Sequence, residues 1–157
     1  CVVYAARVWI RNQDWKDEIT FYAAAVRANG QSALLRNDQG IIYTKYGQPQ
    51  QALASFQDAL TIRPDDPVTY FSMAEAYIQL DDKKKAADAL DQAIVLNPQY
   101  AAAHYNLAGL YIFAGQKDKG IEHFQKALSL YREQGNEQEA QEWEKAFREF
   151  FRIPIPD

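Results

Sequence analysis

The sequence predicts an all-α fold: a right-handed α-α superhelix of three full helical repeats between a degenerate N-terminal unit and a C-terminal capping helix. Three observations carry this expectation. The chain repeats itself with a strict period of 34 residues, small and aromatic residues recur in phase with it, and helix-breaking residues fall at fixed places between them.

The period is read from six positions. Gly40, Tyr43, Ala52, Phe56, Ala59 and Pro64 are followed 34 residues on by Ala74, Tyr77, Ala86, Leu90, Ala93 and Pro98, and then by Ala108, Tyr111, Gly120, Phe124 and Ala127. Small side chains at 40, 74 and 108 let the first helix of each pair approach the second. Ala52, Ala86 and Gly120 supply the facing small surface, and the tyrosines with Phe56, Leu90 and Phe124 fill the volume left between helices. Pro64 and Pro98 close their units because proline cannot continue a helix.

Taken in order, residues 1–32 read as a degenerate first unit. Tyr22 and Ala25 stand one period before Phe56 and Ala59, Trp9 stands before Tyr43 and Ala6 before Gly40, which starts a second helix near Trp15. Asp14, Asp17 and Glu18 are expected at such a start, where carboxylates complement the helix dipole, rather than as metal ligands. Repeat one (33–66) predicts helices over 33–46 and 49–62, repeat two (67–100) over 67–80 and 83–96, and repeat three (101–134) over 101–114 and 117–133. "KYGQPQQ" and "IFAGQKDK" are turns in which Gly47 and Gly115 can take positive φ, and Asp81 with Asp82 replaces that glycine in repeat two. Asp66 before Pro67 is an N-cap followed by proline at the first helical position.

Beyond repeat three the frame breaks, since Glu142 and Lys145 occupy places where a small residue and a tyrosine belong. Ala140, Trp143, Phe147, Phe150 and Phe151 form an apolar stripe, with Glu137, Glu142, Lys145 and Glu149 off it. That pattern predicts a capping helix over 135–152, which shields the last interface of a stack, and a tail over 153–157.

Composition narrows the function. A net charge of −4 and a pI near 5.2 argue against a nucleic-acid partner. The single cysteine, Cys1, rules out an internal disulfide and a site of several thiolates. His104 and His123 lack the spacing of a metalloprotease motif, and no glycine-rich phosphate loop occurs, so no cofactor, no metal and no catalytic residues are expected. The opening "CVVYAARVWI" is apolar apart from Arg7, too short to span a bilayer by itself and suited to the end of a membrane helix.

The phased residues resemble the tetratricopeptide repeat, a helix, turn and helix of 34 residues. The resemblance implies that the first helix of each pair lines a concave face that binds peptides or partner proteins, and that the module is not itself an enzyme. The family's groove positions fall here on Asn37, Asp38, Ile41 and Lys45, on Phe71, Ser72, Glu75 and Ile78, and on Tyr105, Asn106, Gly109, Ile112 and Phe113. An apolar anchor on an extended or helical peptide suits that mixture. Asn106 in "HYNLAGLY" is similar to the groove asparagine of O-linked N-acetylglucosamine transferase repeats, but Asp38 and Ser72 hold the equivalent places in the other units. Lys45 alone does not supply the carboxylate clamp of heat-shock cochaperones.

The segment "RVWIRNQDWKDEITFYAAAVRANG", residues 7–30, resembles the junction before the repeats in transmembrane tetratricopeptide-repeat O-mannosyltransferases. Trp9, Arg11, Asn12, Trp15, Asp17 and Glu18 carry it. This resemblance implies membrane association through residues 1–11, with the repeats on the extracytoplasmic side, and an accessory role beside a catalytic portion that these residues do not include. Val2, Val3, Val8 and Ile10 would otherwise offer an end for self-association.

Overall fold

The structure, a computed structural model, describes residues 18–151. The expected end of a membrane helix at 1–11, Trp9, Trp15 and the tail 153–157 lie outside the described residues. Within them the chain is helical, with no strand: α1 over 18–28, then α2 (Ala33–Lys45), α3 (Pro49–Ile62), α4 (Pro67–Gln79), α5 (Lys83–Leu96), α6 (Ala101–Phe113), α7 (Lys117–Glu133) and α8 (Glu137–Phe151). They form two compact units that meet between Asp82 and Lys83, inside repeat two.

In the first unit the helix starts are fixed by side chains. Ser32 Oγ accepts from the Leu35 N–H at 3.3 Å, and the Asp66 carboxylate accepts from the Thr69 N–H at 3.2 Å as well as from its hydroxyl. Each satisfies a donor that the helix itself leaves open. Pro49 and Pro67 sit in the first turn of α3 and α4, where the missing N–H costs nothing.

The α2–α3 hairpin closes over Phe56, which with Ala52 and Ala59 is shielded from solvent. A Cβ on Gly40 would stand 2.4 Å from the Phe56 ring, so the missing side chain is what lets the ring in. Burying such a ring contributes roughly 1.5–3 kcal/mol. Gln79 Nε2 donates to the Thr44 carbonyl at 3.0 Å, joining the C-terminal ends of α2 and α4, and Glu18 on α1 bonds Lys45 and Tyr46.

Turns after α2, α4, α6 and α7 share one design. Gln48 N–H donates to the Tyr43 carbonyl and Gly47 N–H to that of Thr44, and the same two bonds link Asp82 to Tyr77, Asp81 to Ile78, Gln116 to Tyr111, Gly115 to Ile112, Asn136 to Tyr131 and Gly135 to Arg132. This is the Schellman arrangement, whose pivot takes a left-handed conformation. Gly47, Gly115 and Gly135 adopt it with φ of 69°, 79° and 83°, and Asp81 does so at 57°. Aspartate tolerates that conformation better than most residues with a Cβ.

In the second unit α6 and α7 form the corresponding hairpin. The small residue has moved to the other helix: a Cβ on Gly120 would stand 2.4 Å from Ile112 Cγ1 and 2.9 Å from the Ala108 carbonyl. Ala108, Phe124, Leu128, Ala140 and Phe147 make a buried cluster, with Tyr105, Ile112, Tyr131, Trp143 and Phe151 packed around it. Phe147 of α8 stacks on Phe124 of α7, ring centres 3.7 Å apart and 11° from parallel.

The frame break has a physical cause. α7 runs 17 residues against 14 for α3 and α5, and it ends on the Gly135 turn rather than before a proline. α8 therefore arrives in a different phase from α2, α4 and α6. Its observed span, Glu137–Phe151, begins two residues later than the expected 135 because Gly135 and Asn136 are spent in the turn.

Candidate functional site

On α2, residues 34, 38, 41 and 45 share one face at about 3.6 residues per turn. Leu34 is 63% exposed and Ile41 38%, while Asp38 is partly buried. On α4, Val68 and Ile78 are exposed at 45% and 43%, Phe71 is partly buried and Ser72 is buried. The α2 and α4 faces of the first unit thus present exposed aliphatic side chains among a few polar ones.

Its charges are unevenly matched. Lys45 bonds both oxygens of Glu18, at 3.1 and 2.8 Å, and the bond pulls the Glu18 carboxyl below its usual range while raising the Lys45 amine. Arg36 is bonded to Asp58. Asp38 and Glu75 have no such partner among the described residues, and in both the carboxyl is pushed up because surrounding protein displaces water. Glu75 stays open to solvent while crowded by protein, as a side chain on a recessed surface is. Asn37, expected to point into the groove, is 4% exposed, and its Oδ1 has no hydrogen-bond partner among the described residues.

In the second unit α8 covers part of the expected groove. Tyr105 packs on Trp143 with ring centres 4.3 Å apart and on Phe124 at 5.9 Å, so much of its surface serves the core. Gly109 lies 3.9 Å, measured from a Cβ built on it, from Phe151 Cζ. Phe113 meets the edges of Phe150 and Phe151 and remains 62% exposed. Asn106 and Ile112 are partly buried. Sequence spacing placed these residues on α6 but carried no sign that an out-of-phase helix would lie against them.

A second feature escaped the sequence reading. His104 and His123, 19 positions apart on α6 and α7, bring their Nδ1 atoms to 3.0 Å. The Pro98 carbonyl lies 3.2 Å from His104 Nε2 and can only accept, so that nitrogen carries the proton. His104 Nδ1 is then the acceptor, and His123 Nδ1–H donates to it. Burial is the main cause that lowers both imidazoles, and the nearby Asp91 carboxylate works in the opposite direction on His123. Among the described residues no group of three or more His, Cys, Asp or Glu is arranged to hold a metal ion.

Comparison with known proteins agrees with this geometry. Two models described as tetratricopeptide repeat match residues 43–95 and 71–137. The chain belongs to the tetratricopeptide repeat family. Among curated relatives, the human protein O-mannosyl-transferase TMTC3 is 28% identical over 88 residues, which is 56% of this chain and 10% of that protein. The Drosophila melanogaster counterpart is 30% identical over 88 residues, 56% of this chain and 9% of the other. The matched stretch thus spans about a tenth of these relatives.

Solved structures share the tetratricopeptide fold. The crystal structure of MamA superposes with a TM-score of 0.69 at 27% identity, covering 86% of this chain and 87% of that one. The second tetratricopeptide domain of Spaghetti (RPAP3), solved bound to the HSP90 peptide SRMEEVD, has a TM-score of 0.61 at 22% identity and covers 68% and 98%. Among the described residues no helix is long and apolar enough to cross a membrane.

Proposed function

We propose that this chain is a noncatalytic protein-interaction module that holds a peptide or partner protein against the first-helix faces of its repeats, in a scaffolding or assembly role. The observation that carries this reading is the exposed apolar surface on α2 and α4, where Leu34, Ile41, Val68 and Ile78 stay in water although neighbouring positions are packed. Leaving several aliphatic side chains exposed along adjacent helices has a cost that a partner removes. Tetratricopeptide membership supports the same reading, and the RPAP3 domain offers an instance of a related fold carrying a peptide.

The test is capture of partners from the source cell by the wild-type chain and by an Ile41→Asp/Ile78→Asp variant. Both positions are exposed, so the fold should persist by circular dichroism while capture is lost. Undiminished capture by that variant would defeat the reading. Phe113→Ala is a second probe in the other unit, and a better one than Tyr105→Ala, because Tyr105 also packs the core.

A second reading rests on the TMTC3 matches: the chain is an accessory region of a membrane-embedded glycosyltransferase-like protein, facing the extracytoplasmic side, with the catalytic portion elsewhere. Association with a membrane through residues 1–11 belongs to it, and self-association through the same residues is its rival. Sequencing the native reading frame upstream of Cys1 decides between them. A multi-span membrane region there supports the accessory role, and its absence overturns it.

A further inference from the structure

The α2 and α4 faces of the first unit have a definite electrical character. At neutral pH the face carries Asp38, Glu75 and Lys45, and Lys45 is held by both oxygens of Glu18. Arg36, the other cation of α2, is held by Asp58. What remains are two acids with no counter-charge among the described residues, set between Leu34, Ile41, Val68 and Ile78.

Their placement is specific. Asp38 lies between Leu34 and Ile41 on one face of α2, and Glu75 is seven residues beyond Val68 and three before Ile78 on α4, so each acid is flanked by exposed aliphatic groups. The Gln79 to Thr44 bond holds the two helices side by side. Beside Asp38, the buried Asn37 Oδ1 is an acceptor still lacking a donor. Three acceptors and no free donor cation on an apolar ground describe the complement of a ligand that brings N–H groups and positive charge.

We propose that this face selects a peptide segment in which a lysine or arginine stands among apolar residues, its cation meeting Asp38 and Glu75 while the apolar residues cover Ile41 and Ile78. The proposal rests on the interaction-module reading above and narrows its partner. A carboxylate partly stripped of water without a counter-ion is disfavoured, and a ligand cation relieves that cost in surroundings that screen the pair less than bulk solvent does. An acidic segment would add a third negative charge to the same face and be repelled. Charge complementarity of this kind acts on the association rate, so binding should weaken as salt is raised.

The experiment is selection of a displayed library of random nine-residue peptides on the full chain and, in parallel, on an Asp38→Asn/Glu75→Gln variant, which keeps side-chain shape. Peptides recovered on the wild type should pair lysine or arginine with aliphatic or aromatic residues. As synthetic labelled peptides they should lose on the order of tenfold in affinity on the variant, and progressively more on the wild type as salt rises. Recovered peptides that are acidic or neutral, or that bind both chains equally, overturn the charge reading and leave the interaction module standing. No enrichment over uncoated support overturns both.

Discussion

Replacing Gly40 by alanine tests the packing argument most sharply. An added Cβ would stand 2.4, 2.6 and 2.8 Å from three carbons of the Phe56 ring, where ordinary contact needs about 3.5–4 Å. The ring is fully buried, so it cannot swing into solvent. Overpacking of this kind costs roughly 1–3 kcal/mol, and three simultaneous overlaps place this case near the top of that range. Against it stands a gain of about 1 kcal/mol, since alanine favours the helix over glycine. The net expectation is a loss of about 2 kcal/mol, or roughly 4–8 °C in melting temperature for a chain of this size. Repeat two suggests the rescue, because it carries Ala74 and Leu90 at the equivalent positions. Gly40→Ala combined with Phe56→Leu should therefore be more stable than the sum of the single changes predicts, by on the order of 1 kcal/mol in a double-mutant cycle. Urea unfolding followed by circular dichroism reads both effects. A Gly40→Ala variant as stable as the wild type would refute the reasoning.

Three further outcomes are expected. Phe147→Ala removes the ring stacked on Phe124 and should cost about 3–5 kcal/mol, measured by urea unfolding, with the Trp143 fluorescence change as a local reporter. Asp66→Ala removes the cap of α4 and should cost about 1 kcal/mol, read from the urea midpoint. The histidine pair makes stability depend on pH. Both imidazoles are lowered in the folded state, so the unfolded chain takes up protons first once the pH drops below about 6.5. Stability from this source is complete above that pH and is lost as acidity reaches the folded values, and His104→Gln should flatten the decline between pH 7 and 5 in a series of urea titrations.

The repeats were legible because each structural demand falls on a fixed residue type. Pro49, Gly47 and Asp66 mark helix ends through local backbone chemistry, and the spans of α3, α5 and α7 agree with the expected 49–62, 83–96 and 117–133. Gly40 and Phe56 betray a close approach by their sizes alone. The site was less legible. Nothing local to Tyr105 or Gly109 states that α8 will lie beside them, since that depends on the length of α7. The His104 and His123 contact depends on the α6–α7 hairpin as a whole, and Asn37 carries no local sign of being buried. Lys45 looks like a free groove cation until Glu18, 27 residues earlier, is folded back onto it.

The longer α7 helix, together with its glycine turn, acts as a change of reading frame written in three dimensions. The first hairpins can be extended by copying a 34-residue block, because each copy returns the chain to the same angular phase. After α7 that rule no longer applies, and a repeat added beyond Phe151 would have to begin a new count on a helix already turned away from the old one. Engineered lengthening of this array should therefore insert copies ahead of residue 101, where the phase is intact, and leave residues 117–151 as an indivisible terminus.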